Sequence, residues 1–232
     1  MKCQTIQAFA EIKLFKPINT TSYIECLNQL QRNYEEKFTN VNFDFKQSAF
    51  LMDNPVSGDR VIIQPERIVI SIKSIIDLEE NIIFIKEIYD QIYGILDLKN
   101  FLRIGIRFSV GEKYNDLQKI DSIIKRSFFN GHIDCLDDSI FNIAMRCSLD
   151  REKYKINLGI NPMSERQIII DATTGKEVGV EENINLAIDL DFYTGFEIQQ
   201  REYTNDDVKF LFDSVFAEQG KILDKIQTII GE

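Results

Sequence analysis

Between residues 140 and 193 the sequence sets down one strand after another with only short turns between them. That succession constrains the fold more than any other feature. Over 140–149 the apolar residues Phe141, Ile143, Met145, Cys147 and Leu149 alternate with other residues, and further strand-like runs follow at 153–161, 167–172 and 185–193. Alternation with period two is the mark of a half-buried strand. Short turns force neighbouring strands to run antiparallel, because a parallel crossover needs a dozen or more residues. Thr173-Thr174-Gly175-Lys176 has the composition of such a turn.

The rest of the chain alternates between the two periods. Thr5–Phe15 buries Ile6, Ala8, Ala10, Ile12 and Leu14 as a strand. Ser22-x-x-Glu25 reads as a capping box ahead of a helix over 22–38 that carries Ile24, Leu27, Leu30, Tyr34 and Phe38. Val41, Phe43 and Phe45 restore strand alternation. Asp53-Asn54-Pro55 and Ser57-Gly58-Asp59 are turn formers, so 46–60 is expected as an exposed loop or wide hairpin. Two short β-rich runs follow, 61–64 and 68–73. Asp77-x-x-Glu80 then opens a helix with Ile82, Ile85, Ile88, Ile92 and Leu96 on one face. A strand over 101–110, a helix over 115–129, a polar connection over 130–139 and a final helix begun by Thr204-x-x-Asp207 complete the reading.

The expected fold class is therefore α+β, a largely antiparallel sheet or sheets with about four long helices. The regular βαβα rhythm of a doubly wound sheet is missing. The order helix–sheet–helix–sheet–helix leaves room for two lobes, 1–130 and 140–232. No residue-level repeat supports a duplication, so 1–232 is read as a single domain.

With 37 acidic against 27 basic residues the formal charge is −10. A diffuse negative field repels phosphate backbones and disfavours general duplex binding, while leaving room for a local basic groove. Cys3, Cys26, Cys135 and Cys147 form no CxxC pair. Cys26 and Cys147 fall on apolar phases, where cysteine acts as a small hydrophobe. The segment from Met1 to Phe15 lacks the charged-then-apolar design of a secretory signal, and no apolar run approaches the ~20 residues of a membrane span. A cytoplasmic protein, without membrane association and without a cofactor, is expected.

Chemistry-bearing residues are few. The single histidine, His132, lies three residues from Cys135. An imidazole beside a thiol suits nucleophilic catalysis or metal binding, but one HxxC is far short of a four-ligand zinc site. Glu11-Ile12-Lys13 has the form of the E-x-K element of restriction-like nucleases. No glycine-rich phosphate loop is present. Arg103 and Arg107 share one face of a strand, as do Asp189 and Asp191 of another. Two readings follow. The arginines, with Arg146 and Lys155, could form a basic strip while the aspartates converge on a divalent cation. Alternatively, the opposite charges pair across the sheet.

Leu102-Arg103-Ile104-Gly105-Ile106-Arg107-Phe108 and the later Leu186-Ala187-Ile188-Asp189-Leu190-Asp191-Phe192 together resemble a sporadically distributed prokaryotic family with no assigned activity. That family has an R-hydrophobic-G-hydrophobic-R-aromatic strand and a D-hydrophobic-D strand near its end. The resemblance spans about 60–230 and makes Arg103, Gly105, Arg107, Asp189 and Asp191 its signature positions. It implies a gene carried in mobile or defence-linked loci and supplies no catalytic residues. The expected function is a non-catalytic protein-interaction subunit, such as an accessory or antitoxin-like component of a prokaryotic or phage conflict system. A metal-dependent nuclease or phosphoesterase built on Asp189 and Asp191, and a small-ligand sensor, are the alternatives.

Overall fold

The computed structural model describes residues 4–129, 142–170, 177–195 and 202–231. Strand β1 (Gln4–Leu14) leads through a short 3-10 turn into helix α1 (Ile24–Asn33). Strands β2 (Asn40–Asp44), β3 (Ala49–Asp53), β4 (Arg60–Gln64) and β5 (Arg67–Ile72) then precede helix α2 (Leu78–Leu96). The second half follows a similar order with one strand fewer between its helices. It comprises β6 (Phe101–Tyr114), α3 (Leu117–Phe129), β7 (Met145–Asp150), β8 (Lys155–Ile170), β9 (Glu177–Tyr193) and α4 (Asn205–Gly231).

Among the described residues the nine strands form one sheet in the order β2-β3-β4-β5-β1-β6-β9-β8-β7, with every pairing antiparallel. The first strands of the two halves, β1 and β6, meet at the centre. Outward from that seam, β5, β4 and β3 on one side answer β9, β8 and β7 on the other. The repetition thus begins again at β6, and the sheet runs unbroken across both halves.

Period two decides which face is core. Ala8, Ala10, Ile12 and Leu14 of β1, Ile104, Ile106, Phe108 and Val110 of β6, and Leu186, Ile188, Leu190 and Phe192 of β9 are all buried. The four helices supply the opposing layer on this same face. The first, α1, packs on β2 and β3, and α2 on β1 and β5. In the second half α3 packs on β6, β8 and β9, and α4 on β6 and β9. The Tyr89 hydroxyl of α2 donates to Asn205 at the start of α4 (2.8 Å), tying the two halves of the helix layer together. Burial raises the Tyr89 phenol far above its ordinary range, so it stays a neutral donor. No helix among the described residues is long and apolar enough to cross a membrane.

Four expectations need correction. The stretch 46–60 holds β3, with Phe50 and Met52 in the core; its five residues are framed by turn formers that mask the apolar run. The two strands expected at 167–172 and 185–193 belong to the long β8 and β9. The turn expected at Thr173-Thr174-Gly175-Lys176 lies outside the described residues. Ser22 does not cap α1, which starts at Ile24 with no side-chain cap and ends at Asn33. The chain enters α1 instead through Thr20, fully buried and donating to the Ser48 carbonyl. Finally, Cys26 and Cys147 are exposed rather than packed. In α1 the core face belongs to Leu27 and Leu30, and β7 is an edge strand beyond the strands that α3 and α4 cover.

At the helix starts, Asp77 accepts from the Glu80 amide as its spacing predicts. Asp207 likewise accepts from the Thr204 amide and hydroxyl.

Candidate functional site

The outward phase of the strands faces away from all four helices. The register lays its residues out in ranks. One rank reads Arg146, Gly159, Asp189, Ser109 and Gln7 from β7 to β1. The next reads Ser148, Asn157, Asp191, Arg107, Phe9 and Ser71, the last on β5. A third reads Lys155, Tyr193, Gly105, Glu11, Val69, Ile62 and Leu51. This face, which no described helix covers, is polar on the β6–β7 side. It turns apolar toward β3, through Phe9, Val69, Ile62 and Leu51.

All four arginines and aspartates singled out from the sequence stand on this face, and the structure shows which of them bond. Arg107 grips Asp189 with two parallel hydrogen bonds, Nε to Oδ1 at 2.9 Å and Nη2 to Oδ2 at 2.6 Å. The Ser109 hydroxyl adds a third to Oδ1 at 2.9 Å. Asp191 is Arg107's direct cross-strand partner, yet the guanidinium reaches the diagonal neighbour, where the forked geometry fits. The Arg107 side chain is 57% exposed, so the pair is worth only about 0–1 kcal/mol in stability. Its effect is to fix both side chains. Among the described residues Arg103 makes no ion pair; its guanidinium lies over the Tyr193 ring, 5.5 Å from the centroid.

Asp191 stands one rank along the same face from Asp189. Burial holds its carboxyl above the ordinary aspartate range, Asp189 adds to that, and Arg103, Arg107 and Asn157 pull the other way. A carboxyl that binds its proton more tightly when folded stabilises the fold in acid. It loses that contribution as pH rises through the folded value. Asp191→Asn is therefore expected to raise the melting temperature at pH 7 by about 1–2 °C, because the carboxyl still reaches solvent. The advantage should vanish as pH falls below the ordinary aspartate range. Thermal melts across pH 3–7 check this; a variant that melts lower at pH 7 would show that the ionised carboxylate is favoured.

Beside the pair opens a cleft of about 730 Å³, lined by Arg107, Arg146, Asn157, Asn161, Asp189 and Asp191. Its floor is Gly159, between Arg146 and Asp189. A Cβ there would meet Asp189 Cβ at 3.6 Å, an ordinary contact, so neither crowding nor backbone conformation requires glycine. The missing side chain leaves a depression in mid-strand, the kind of place where another molecule comes close.

Other sequence candidates fare differently. Glu11 of the E-x-K element lies 3.4 Å from Arg67, and Lys155 is paired with Asp150 at 3.1 Å, so neither joins the cleft. Arg146 does. His132 and Cys135 lie outside the described residues. Among the described residues no three His, Cys, Asp or Glu side chains come together to hold a metal ion. A cation at Asp189 and Asp191 would have to compete with the Arg107 guanidinium for Asp189. Ser109, Asn157, Gly159 and Asn161 escaped the sequence reading; each stands on the outward phase of a strand, but only the register brings them beside Asp189. No protein-family model matches the chain, and comparison with curated proteins returns no relative.

Proposed function

We propose that this chain is a non-catalytic protein-interaction subunit that presents its uncovered sheet face to a protein partner. The observation that carries the reading is the bonding of Arg107 to Asp189 on a sheet face that all four helices leave free. Arg107 and Asp189 satisfy each other before any ligand arrives, which suits a preorganised docking surface better than a reactive centre. The face offers both the apolar surface that forms interface cores and the polar surface that forms their rims. Both oxygens of Asp189 are engaged, which weighs against the metal-dependent nuclease or phosphoesterase reading. In this proposal the subunit works in the cytoplasm, and the resemblance carried by Arg103, Gly105, Arg107, Asp189 and Asp191 supports an accessory or antitoxin-like part in a prokaryotic or phage conflict system.

Gly159→Arg fills the cleft floor without touching the core, whereas Ala217→Arg places the same charge on the solvent side of α4. Affinity capture from the source cells, quantified by mass spectrometry, is expected to yield a partner whose recovery falls about tenfold or more with Gly159→Arg and not with Ala217→Arg. Both variants should melt within a few degrees of wild type. A partner recovered equally by both variants, or none recovered by wild type, rejects the proposal.

A further inference from the structure

Two ranks along the open face from Arg107 the register sets three cations side by side. Lys13 of β1 stands directly opposite both Arg103 of β6 and Arg67 of β5. Like charges directly opposite destabilise a sheet, so such a row needs an offsetting charge. The described residues supply little of it. Arg67 Nη1 reaches Glu11 Oε1 at 3.4 Å, and its Nε donates to the neutral Gln64 side chain at 2.6 Å. Arg103 lies over the Tyr193 ring, and Asp191 offsets its charge without an ion pair. No described carboxylate pairs with Lys13, which is exposed. In a chain of net charge −10, positive charge is thus concentrated here against the overall balance.

Beside this row runs a groove of about 680 Å³, within the size range of small-molecule sites. Lys13 and Arg67 line it together with the amides of Gln47 and Gln64 and the apolar Phe15 and Leu102. Glu66 also lines it, as the one carboxylate there. Cations, amide donors and an apolar wall are the parts a site for an organic anion requires.

We propose that this groove binds the dianionic group of a small organic acid, a phosphate monoester or a polycarboxylate. Lys13 Nζ and the guanidinium of Arg67 donate to the anion directly, and Arg103 contributes its charge from the neighbouring strand. Gln47, Gln64, Phe15 and Leu102 hold the body of the ligand. The bound dianion relieves the repulsion along the row, so ligand and fold stabilise each other. This site is separate from the Gly159 cleft and does not depend on a protein partner.

The test is thermal denaturation and calorimetry of the full chain with inorganic phosphate and with citrate, each against sodium chloride at matched ionic strength. At tenfold excess over its dissociation constant a bound anion is expected to raise the melting temperature by about 3–5 °C. Lys13→Gln and Arg67→Gln should each weaken binding tenfold or more. Phosphate acting alone identifies a phosphate monoester and citrate acting alone a polycarboxylate; a response to both supports recognition by charge. Lys13→Gln should melt at or above wild type in chloride, since it removes the repulsion. The proposal is overturned if neither anion outperforms chloride, if the response survives in Lys13→Gln, or if that variant melts more than about 5 °C below wild type.

Discussion

Replacing Phe192 with alanine is expected to cost about 3–5 kcal/mol of folding stability and to lower the melting temperature by about 10 °C or more. The ring is fully buried on β9, stacked on Phe108 at a centroid distance of 5.8 Å and tilted against Tyr154 at 6.2 Å. It lies where β6, β8 and β9 meet, opposite Ile106 and Ile156. Truncation removes an aromatic side chain and leaves a cavity that the paired strands on either side cannot collapse to fill. Domains of this kind are stable by only about 5–15 kcal/mol, so the loss is a large share of the whole. Phe192→Leu should cost less than half as much. Urea melts with an unchanged slope would assign the loss to packing; a drop under about 3 °C would mean that the ring is not packed as described. The same strand carries Asp189 and Asp191, so a partner that needs their spacing should bind Phe192→Ala more weakly even below its melting temperature.

Asp121→Ala is the second large effect, expected at about 2–4 kcal/mol. Asp121 belongs to α3 and is 7% exposed, and each of its oxygens accepts a backbone amide, from Asn142 at 2.9 Å and from Ile143 at 3.0 Å. Hydrogen bonds to a charged acceptor are worth more than neutral ones, and removing the carboxylate strands two donors of which one is buried. Asn142 holds a left-handed backbone (φ 58°), a conformation that asparagine tolerates better than most residues. The carboxylate therefore clamps the chain as it turns into β7. Hydrogen exchange should locate the damage: the Ile143 amide and the β7 amides speed up well before those of β1 or β6. Asp121→Asn, which keeps one acceptor oxygen, should lose about half as much. Asn142 also lines the cleft beside Asp189, so partner capture should fall with Asp121→Ala. Uniform protection across β7 in that variant would dismiss the clamp.

Much of this fold was written in its periodicity. The alternation of β1 and the i, i+3, i+4 spacing of α2 and α4 each match a long element with one buried face, and such elements repeat their signal several times over. The run 49–53 failed because a five-residue strand gives the pattern too few repeats, and Asn54 and Gly58 next to it speak loudly for a turn. Ser22 failed because a capping motif states only what a side chain can do. Thr20, held by the Ser48 carbonyl from another part of the chain, settled where α1 begins. The site was legible as a set of faces and illegible as a set of bonds. Spacing puts Arg107 on one strand face and Asp189 on another, but their meeting depends on β6 pairing with β9 at a given register, a long-range fact. Gly159 shows the same limit: its sequence neighbours do not reveal that it lies between Arg146 and Asp189.

The central seam has a consequence for how the molecule is made. Strand β1 is bonded on one side by β5, through pairs such as Ala10 with Ile70, and on the other by β6, through Ala10 with Ile106. During synthesis the first half can close its five strands under α1 and α2 while β6 is still inside the ribosome. Until residues 101–114 emerge, β1 offers a full row of unmet amides and carbonyls along a hydrophobic strand, an edge open to any other nascent chain. The fold places its longest wait at its centre, and speed of elongation through β6 sets how long that edge stays open.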